Sequence, residues 1–184
     1  MFRAIGVRWW GRIGATAVPV LREALHDDDR DVRKAAADAL RGLGGRAVPP
    51  LVESLKDDDP TVRVYSLDAL SYVGPDAKDA AAAIVEAASD ADASVRGKAL
   101  RSLFLICPDD DAALSALIKA LGDPVTSVRM QAISTLEKFG PRAARAVPAL
   151  QEVMKGPDPN VRREAAETLE AITGKEKPTG DVDP

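Results

Sequence analysis

The dipeptide Val-Arg recurs at Val32-Arg33, Val62-Arg63, Val95-Arg96, Val128-Arg129 and Val161-Arg162, at intervals of 30, 33, 33 and 33 residues. This period constrains the fold more than any single residue does. A segment of that length cannot bury a hydrophobic face alone, so successive copies must stack and cover one another.

The positions around each pair specify helices. Four residues after the Val the side chain is always small: Ala36, Ser66, Ala99, Ala132 and Ala165. Eight after it stands Leu40, Leu70, Leu103, Leu136 or Leu169, and eleven after it Leu43, Val73, Ile106, Phe139 or Ile172. Offsets 0, 4, 8 and 11 share one face of an α-helix, here called B. The small residue at offset 4 lets a neighbouring helix approach closely. Seven residues before the Val stand Leu25, Leu55, Ala88, Leu121 and Met154, which end the apolar stripe of a preceding helix, A. Pro19, Pro49 and Pro148 sit near the start of A, where a missing N–H costs nothing. Gly44, Gly74 and Gly140 are placed to end B as left-handed caps, whereas the third copy carries Cys107 and Pro108 there. Between A and B lies an acidic turn. Asp59 and Asp158, each before a Pro, are expected to cap helix B. The fourth copy has Val125 at that position, which leaves the cap to Ser127 or Asp123.

The register extends to the N-terminus, where Trp10, Ile13 and Gly14 match Leu40, Leu43 and Gly44. The expected organisation is a leading B-type helix over 1–14, then repeats at 15–44, 45–74, 75–107, 108–140 and 141–173, then a polar, disordered tail over 174–184. The expected fold is an all-α, right-handed solenoid of five two-helix repeats plus one leading helix. A start in mid-repeat is what a fragment of a longer array would have. Trp9 and Trp10 at that end would shield the first layer or make an end-to-end contact.

The run Asp-x-x-Val-Arg-x-x-Ala-x-x-x-Leu-x-x-Ile, closed by a Gly, is carried most fully from Asp158 to Gly174. It resembles HEAT repeats, in particular the short type named after phycobilisome lyases, and the resemblance covers roughly residues 2–173. The resemblance implies a scaffold more than a chemistry, because the family serves scaffolds, lyases and modification enzymes alike. It also implies a structural ladder in which an Asp and an Arg six residues apart link neighbouring units. Here these are Asp27/Arg33, Asp57/Arg63, Asp90/Arg96 and Asp123/Arg129, while Gly156 leaves Arg162 without an acid. Each guanidinium is expected to hold its own turn's carboxylate and reach the next one.

Catalytic and metal chemistry find little support. The one histidine, His26, reads as a solvated helix-end residue and cannot build a His-rich zinc site. The absence of any His-Glu pair argues against the iron-binding, deoxyhypusine hydroxylase members of the resembling family. The acidic runs lack calcium-loop spacing, and there is no phosphate-binding glycine loop. Cys107 reads as packed core. No catalytic residue, metal or cofactor is therefore assigned. With 25 Lys+Arg against 29 Asp+Glu, the net charge of −4 disfavours a sequence-independent grip on nucleic acid. No apolar run is long enough to span a bilayer. A single cysteine fits a reducing, cytoplasmic setting.

One surface feature does suggest a site. The B positions that face away from the core are polar or small in the outer copies but include Val64, Tyr65, Tyr72, Phe104, Leu105 and Met130 in the middle ones. An apolar, aromatic patch flanked by charge on the concave B-helix side suits a bound peptide or helix. The expected function is therefore a non-enzymatic protein-interaction scaffold with a protein partner, not nucleic acid or membrane. The alternatives, drawn from family resemblance, are a phycobilin lyase-type subunit holding a tetrapyrrole and a nucleic-acid-binding HEAT protein.

Overall fold

The computed structural model describes residues 18–174. The leading helix, Trp9 and Trp10 lie outside the described residues, as does the tail beyond Gly174. The described chain is helical throughout, in the order Val18–Ala24 (α1), Arg30–Arg41 (α2), Val48–Ser54 (α3), Pro60–Val73 (α4), Ala81–Ala87 (α5), Ala93–Ile106 (α6), Asp111–Ala120 (α7), Thr126–Phe139 (α8), Val147–Val153 (α9) and Pro159–Thr173 (α10). It divides into two compact units, with the boundary between Ala113 and Leu114 inside α7.

In the first unit each short helix packs on the long one that follows it, and the long helices α2, α4 and α6 pack side by side. Offset 0 is buried at Val32, Val62 and Val95, and offset 4 at Ala36, Ser66 and Ala99. Leu40, Leu70 and Leu103 at offset 8 are buried as well. The second unit repeats the arrangement, with α10 against both α8 and α9. Val128, Ala132 and Leu136 form its core with Val161, Ala165 and Ile172. Two expected core positions of the last copy differ: Met154 is exposed and Leu169 only half-buried.

A second buried stripe runs along B at offsets 5 and 7. Offset 5 holds Leu67, Leu100 and Ile133, all fully buried. Offset 7 holds Ala39, Ala69, Ser102, Thr135 and Thr168, all buried although three carry hydroxyls. Burying a hydroxyl requires a partner, and the helix supplies it. Ser102 Oγ donates to the Lys98 carbonyl at 2.9 Å and lies 3.5 Å from the Leu67 carbonyl of α4. Thr168 Oγ1 stands in the same relation to the Ile133 carbonyl of α8, also at 3.5 Å. Only a small residue lets adjacent B helices come this close.

The connections between B and the next A are 3₁₀ turns at Gly44–Ala47, Gly74–Ala80 and Gly140–Ala146. The expected left-handed caps are realised differently. Gly74 (φ 68°, ψ −139°) and Gly140 (φ 55°, ψ −138°) have positive φ but lie outside the αL basin, in a region open essentially to glycine. Gly174 alone of the caps is αL (φ 65°, ψ 15°). In the third copy Cys107 ends α6 at φ −137°, its N–H donating to the Leu103 carbonyl.

The acidic turns cap B as their spacing predicts. Asp29 accepts from the Asp31 N–H, Asp59 from Thr61, Asp92 from Ser94 and Val95, and Asp158 from Asn160 and Val161. The Val95 and Ser94 N–H groups hold the Asp92 carboxyl below its usual range. Helix α8 has no side-chain cap at Val125: Asp123 accepts from the Val125 N–H, within the turn, and Ser127 is exposed.

The Val-Arg arginines brace these turns through backbone carbonyls. Nη1 donates to two successive carbonyls five and six residues earlier: Asp27 and Asp28 for Arg33, Asp57 and Asp58 for Arg63, Asp90 and Ala91 for Arg96. Arg129 does so with Asp123 and Pro124, and Arg162 with Gly156 and Pro157. This explains why Gly156 can replace the acid, since the contact needs a carbonyl and no side chain. The carboxylates instead tie their own turns, Asp27 accepting from the Asp29 N–H, Asp57 from Asp59 and Asp90 from Asp92. Arg63 also reaches the next turn: its Nε and Nη2 form a two-bond fork with Asp90 at 2.9 and 2.8 Å. That fork is largely shielded, with side-chain exposures of 12% and 14%, and it raises the Arg63 pKa. One turn earlier, His26 Nε2 lies 2.9 Å from Asp57 Oδ2, so His26 contacts the acidic turn and is not merely solvated. Arg33 Nε is left buried without a partner.

Two outcomes follow for stability. Leu103→Ala should cost about 2–5 kcal/mol in urea unfolding, because it empties a fully buried layer position; a loss well under 1 kcal/mol would remove offset 8 from the core. Arg63→Ala should cost about 2–3 kcal/mol, as charged hydrogen bonds to shielded acceptors do, and Arg63→Lys should restore little of it because an ammonium has no fork. Full restoration by Lys would reduce the brace to a simple charge.

Candidate functional site

The B helices of the first unit form a groove of about 540 Å³ lined by α2, α4 and α6. Its walls combine Tyr65, Tyr72 and Leu105 with Lys34, Asp38 and Arg41, and Ala37, Asp68, Ser71 and Arg101 complete them. Helical periodicity produces this directly. Tyr65 and Tyr72 are two turns apart on α4, so both project on one side of the helix, away from the face of Val62, Ser66 and Leu70.

Tyr72 dominates the surface. It is 64% exposed, and Leu105 is 38% exposed. The Arg41 guanidinium lies over the Tyr72 ring, 4.0 Å from its centroid, while its Nη1 donates to Asp38 Oδ1 at 2.7 Å. Two neighbours thus fix Arg41, and Arg41 fixes one face of the ring. A smaller recess of about 340 Å³ opens beside it, between Tyr72 and Asp38, Arg41 and Gly42. Across the groove Lys98 Nζ pairs with Asp68 Oδ1 at 2.8 Å. Ser71 Oγ and Ser102 Oγ are 2.7 Å apart and close the floor between α4 and α6.

Not every residue of the expected patch lies here. Val64 and Phe104 are half-buried and do not line the groove. Met130 is half-buried on α8, in the other unit. Lys34, Asp38, Arg41, Asp68 and Arg101 also line the groove; spacing puts them on the outward face, where their charge reads as a flank of the patch and not as part of it. Arg41 ends α2 beside the buried Leu40, and its stacking on Tyr72 depends on the neighbouring helix α4. The second unit has its own recess, about 700 Å³, on the side of the acidic turns, among Ile118, Leu121, Val153, Pro157 and Val161.

Cys107 is buried, and burial pushes its thiol up to about 11, with Asp110 adding to the effect. It is therefore a protonated thiol at neutral pH, without nucleophilic character. The folded pKa exceeds the ordinary value of 9.0, so the thiol's contribution to stability is complete below pH 9 and fades as pH rises toward 11. Iodoacetamide at pH 8 should label the native chain far more slowly than the guanidinium-unfolded chain. Equal rates would place the thiol at the surface. Among the described residues no three His, Cys, Asp or Glu side chains are grouped so as to hold a metal, and no helix is long and apolar enough to cross a membrane.

No curated protein matches the sequence. Among solved structures, the complex of CpcE and CpcF of phycocyanin lyase from Nostoc sp. PCC7120 is similar at 23% identity, over 83% of this chain and 98% of that one, with a TM-score of 0.70. An engineered protein is similar at 24% identity, over 93% and 90% of the two chains, with a TM-score of 0.61. A designed armadillo repeat protein in complex with the peptide (KR)4 is similar at 20% identity, over 92% and 91%, with a TM-score of 0.59. These likenesses establish an α-solenoid fold of the HEAT and armadillo class. The family model for HEAT repeats matches residues 1–71, 48–137 and 114–179, and the chain belongs to the HEAT repeat family.

Proposed function

We propose that this chain is a non-enzymatic interaction module that binds a peptide or helix of another protein in the groove of α2, α4 and α6. The observation that carries the reading is Tyr72: a large aromatic ring, mostly exposed, held in place by Arg41 at the mouth of a groove it shares with Tyr65 and Leu105. Exposed aromatic rings held rigid beside an arginine are the side chains that dominate protein interfaces, because they bury much area and lose little entropy. Two of the similar structures are themselves complexes, one of CpcE with CpcF and one with a peptide, which supports a binding role for the fold. The reading has no place for nucleic acid, a membrane or a cofactor. Met130 stands outside it.

Tyr65→Ala combined with Tyr72→Ala should abolish partner capture and leave the far-ultraviolet circular dichroism unchanged. The measurement is affinity capture with mass spectrometry, run in parallel on the two forms. Proteins captured equally by both would discard the groove.

A further inference from the structure

We infer that the groove's occupant is an acidic peptide carrying apolar side chains, its carboxylates met by Lys34 and Arg101 and its apolar side chains by Tyr72 and Leu105. The inference rests on the groove being the binding surface and adds the chemistry of what binds there.

The argument is a balance of charges. Two acids line the groove, Asp38 and Asp68, and both are already engaged, Asp38 by Arg41 and Asp68 by Lys98. Three cations line it: Lys34, Arg41 and Arg101. Arg41 is held by Asp38 and by the Tyr72 ring. Lys34 and Arg101 are exposed and have no ion pair among the described residues. The open charge of the groove is therefore positive, although the chain as a whole carries −4. A local excess against the overall sign acts at short range, because screening removes the repulsion of distant acids beyond roughly 8 Å at physiological salt. An incoming carboxylate finds donors that need not break an existing pair, whereas an incoming lysine or arginine finds only acids already bonded. A (KR)4 peptide, the ligand in the similar designed protein, would meet like charge here.

The test uses the full chain as bait for a random peptide library displayed on phage. Selected peptides should be rich in Asp and Glu with interspersed Leu, Phe or Tyr. Their synthetic forms should bind about tenfold more weakly to Lys34→Ala/Arg101→Ala, a change of about 1.4 kcal/mol. Selection on Lys34→Glu/Arg101→Glu should shift the peptides toward Lys and Arg. Both positions are on the surface, and matching thermal melts establish that the variants fold. Basic or neutral binders that Tyr65→Ala/Tyr72→Ala releases, but that ignore Lys34 and Arg101, would overturn the acidic occupant and keep the groove. Binders indifferent to all four positions, or no binders, would overturn both.

Discussion

Everything in this chain depends on how closely one B helix can approach the next. A 30- or 33-residue unit has two apolar stripes and no interior of its own. The second stripe of B, at offsets 5 and 7, is where that closure happens. Offset 7 is always small, and where it is Ser102 or Thr168 the hydroxyl lies 3.5 Å from a neighbouring helix's carbonyl, once in each unit and at the same register. A larger side chain would hold the helices apart and leave Leu67, Leu100 and Ile133 without cover. The groove depends on the same spacing, since Tyr65, Tyr72 and Leu105 come from helices that this contact holds side by side.

The turns add a second constraint. An arginine that grips two backbone carbonyls of its own turn fixes the angle at which A enters B, and it does so whatever side chains the turn carries. This makes the brace tolerant of substitution in the turn and intolerant at the arginine. The link between turns takes more than one form in the first unit. Arg63 makes it with a shielded fork to Asp90, whereas Asp57 takes His26 as partner and Arg33 keeps an unsatisfied Nε. The local brace recurs in every copy, and Arg63 adds to it the step to the next turn.

Much of this was legible in the sequence. The period, the helices, the core at offsets 0, 4 and 8 and the aspartate caps all follow from side chains whose spacing speaks for itself. The second stripe did not, because Ala, Ser and Thr carry little hydrophobic signal, and Ser102 or Thr168 looks solvated until a carbonyl is seen beside it. The arginine's partners were hidden because a carbonyl has no letter in the sequence. Of the outward-face residues singled out by spacing, Tyr65, Tyr72 and Leu105 line the groove, whereas Val64 and Phe104 do not, although Tyr65 is half-buried as they are. The charged residues read from sequence only as a flank of the patch, because charge on an outward face ordinarily means solvent, and the pairing of Arg41 with Asp38 and of Lys98 with Asp68 is what singles out Lys34 and Arg101.

The most direct measurement of the close-approach constraint is the thermal midpoint of Ser102→Leu beside that of Arg101→Leu, adjacent positions on α6 facing the neighbouring helix and the groove respectively. Overpacking at a fully buried small position costs about 1–3 kcal/mol. In a chain of this size that lowers the midpoint by about 2–4 °C per kcal/mol. The account predicts such a fall for Ser102→Leu and almost none for Arg101→Leu. Equal midpoints for the two variants would contradict it.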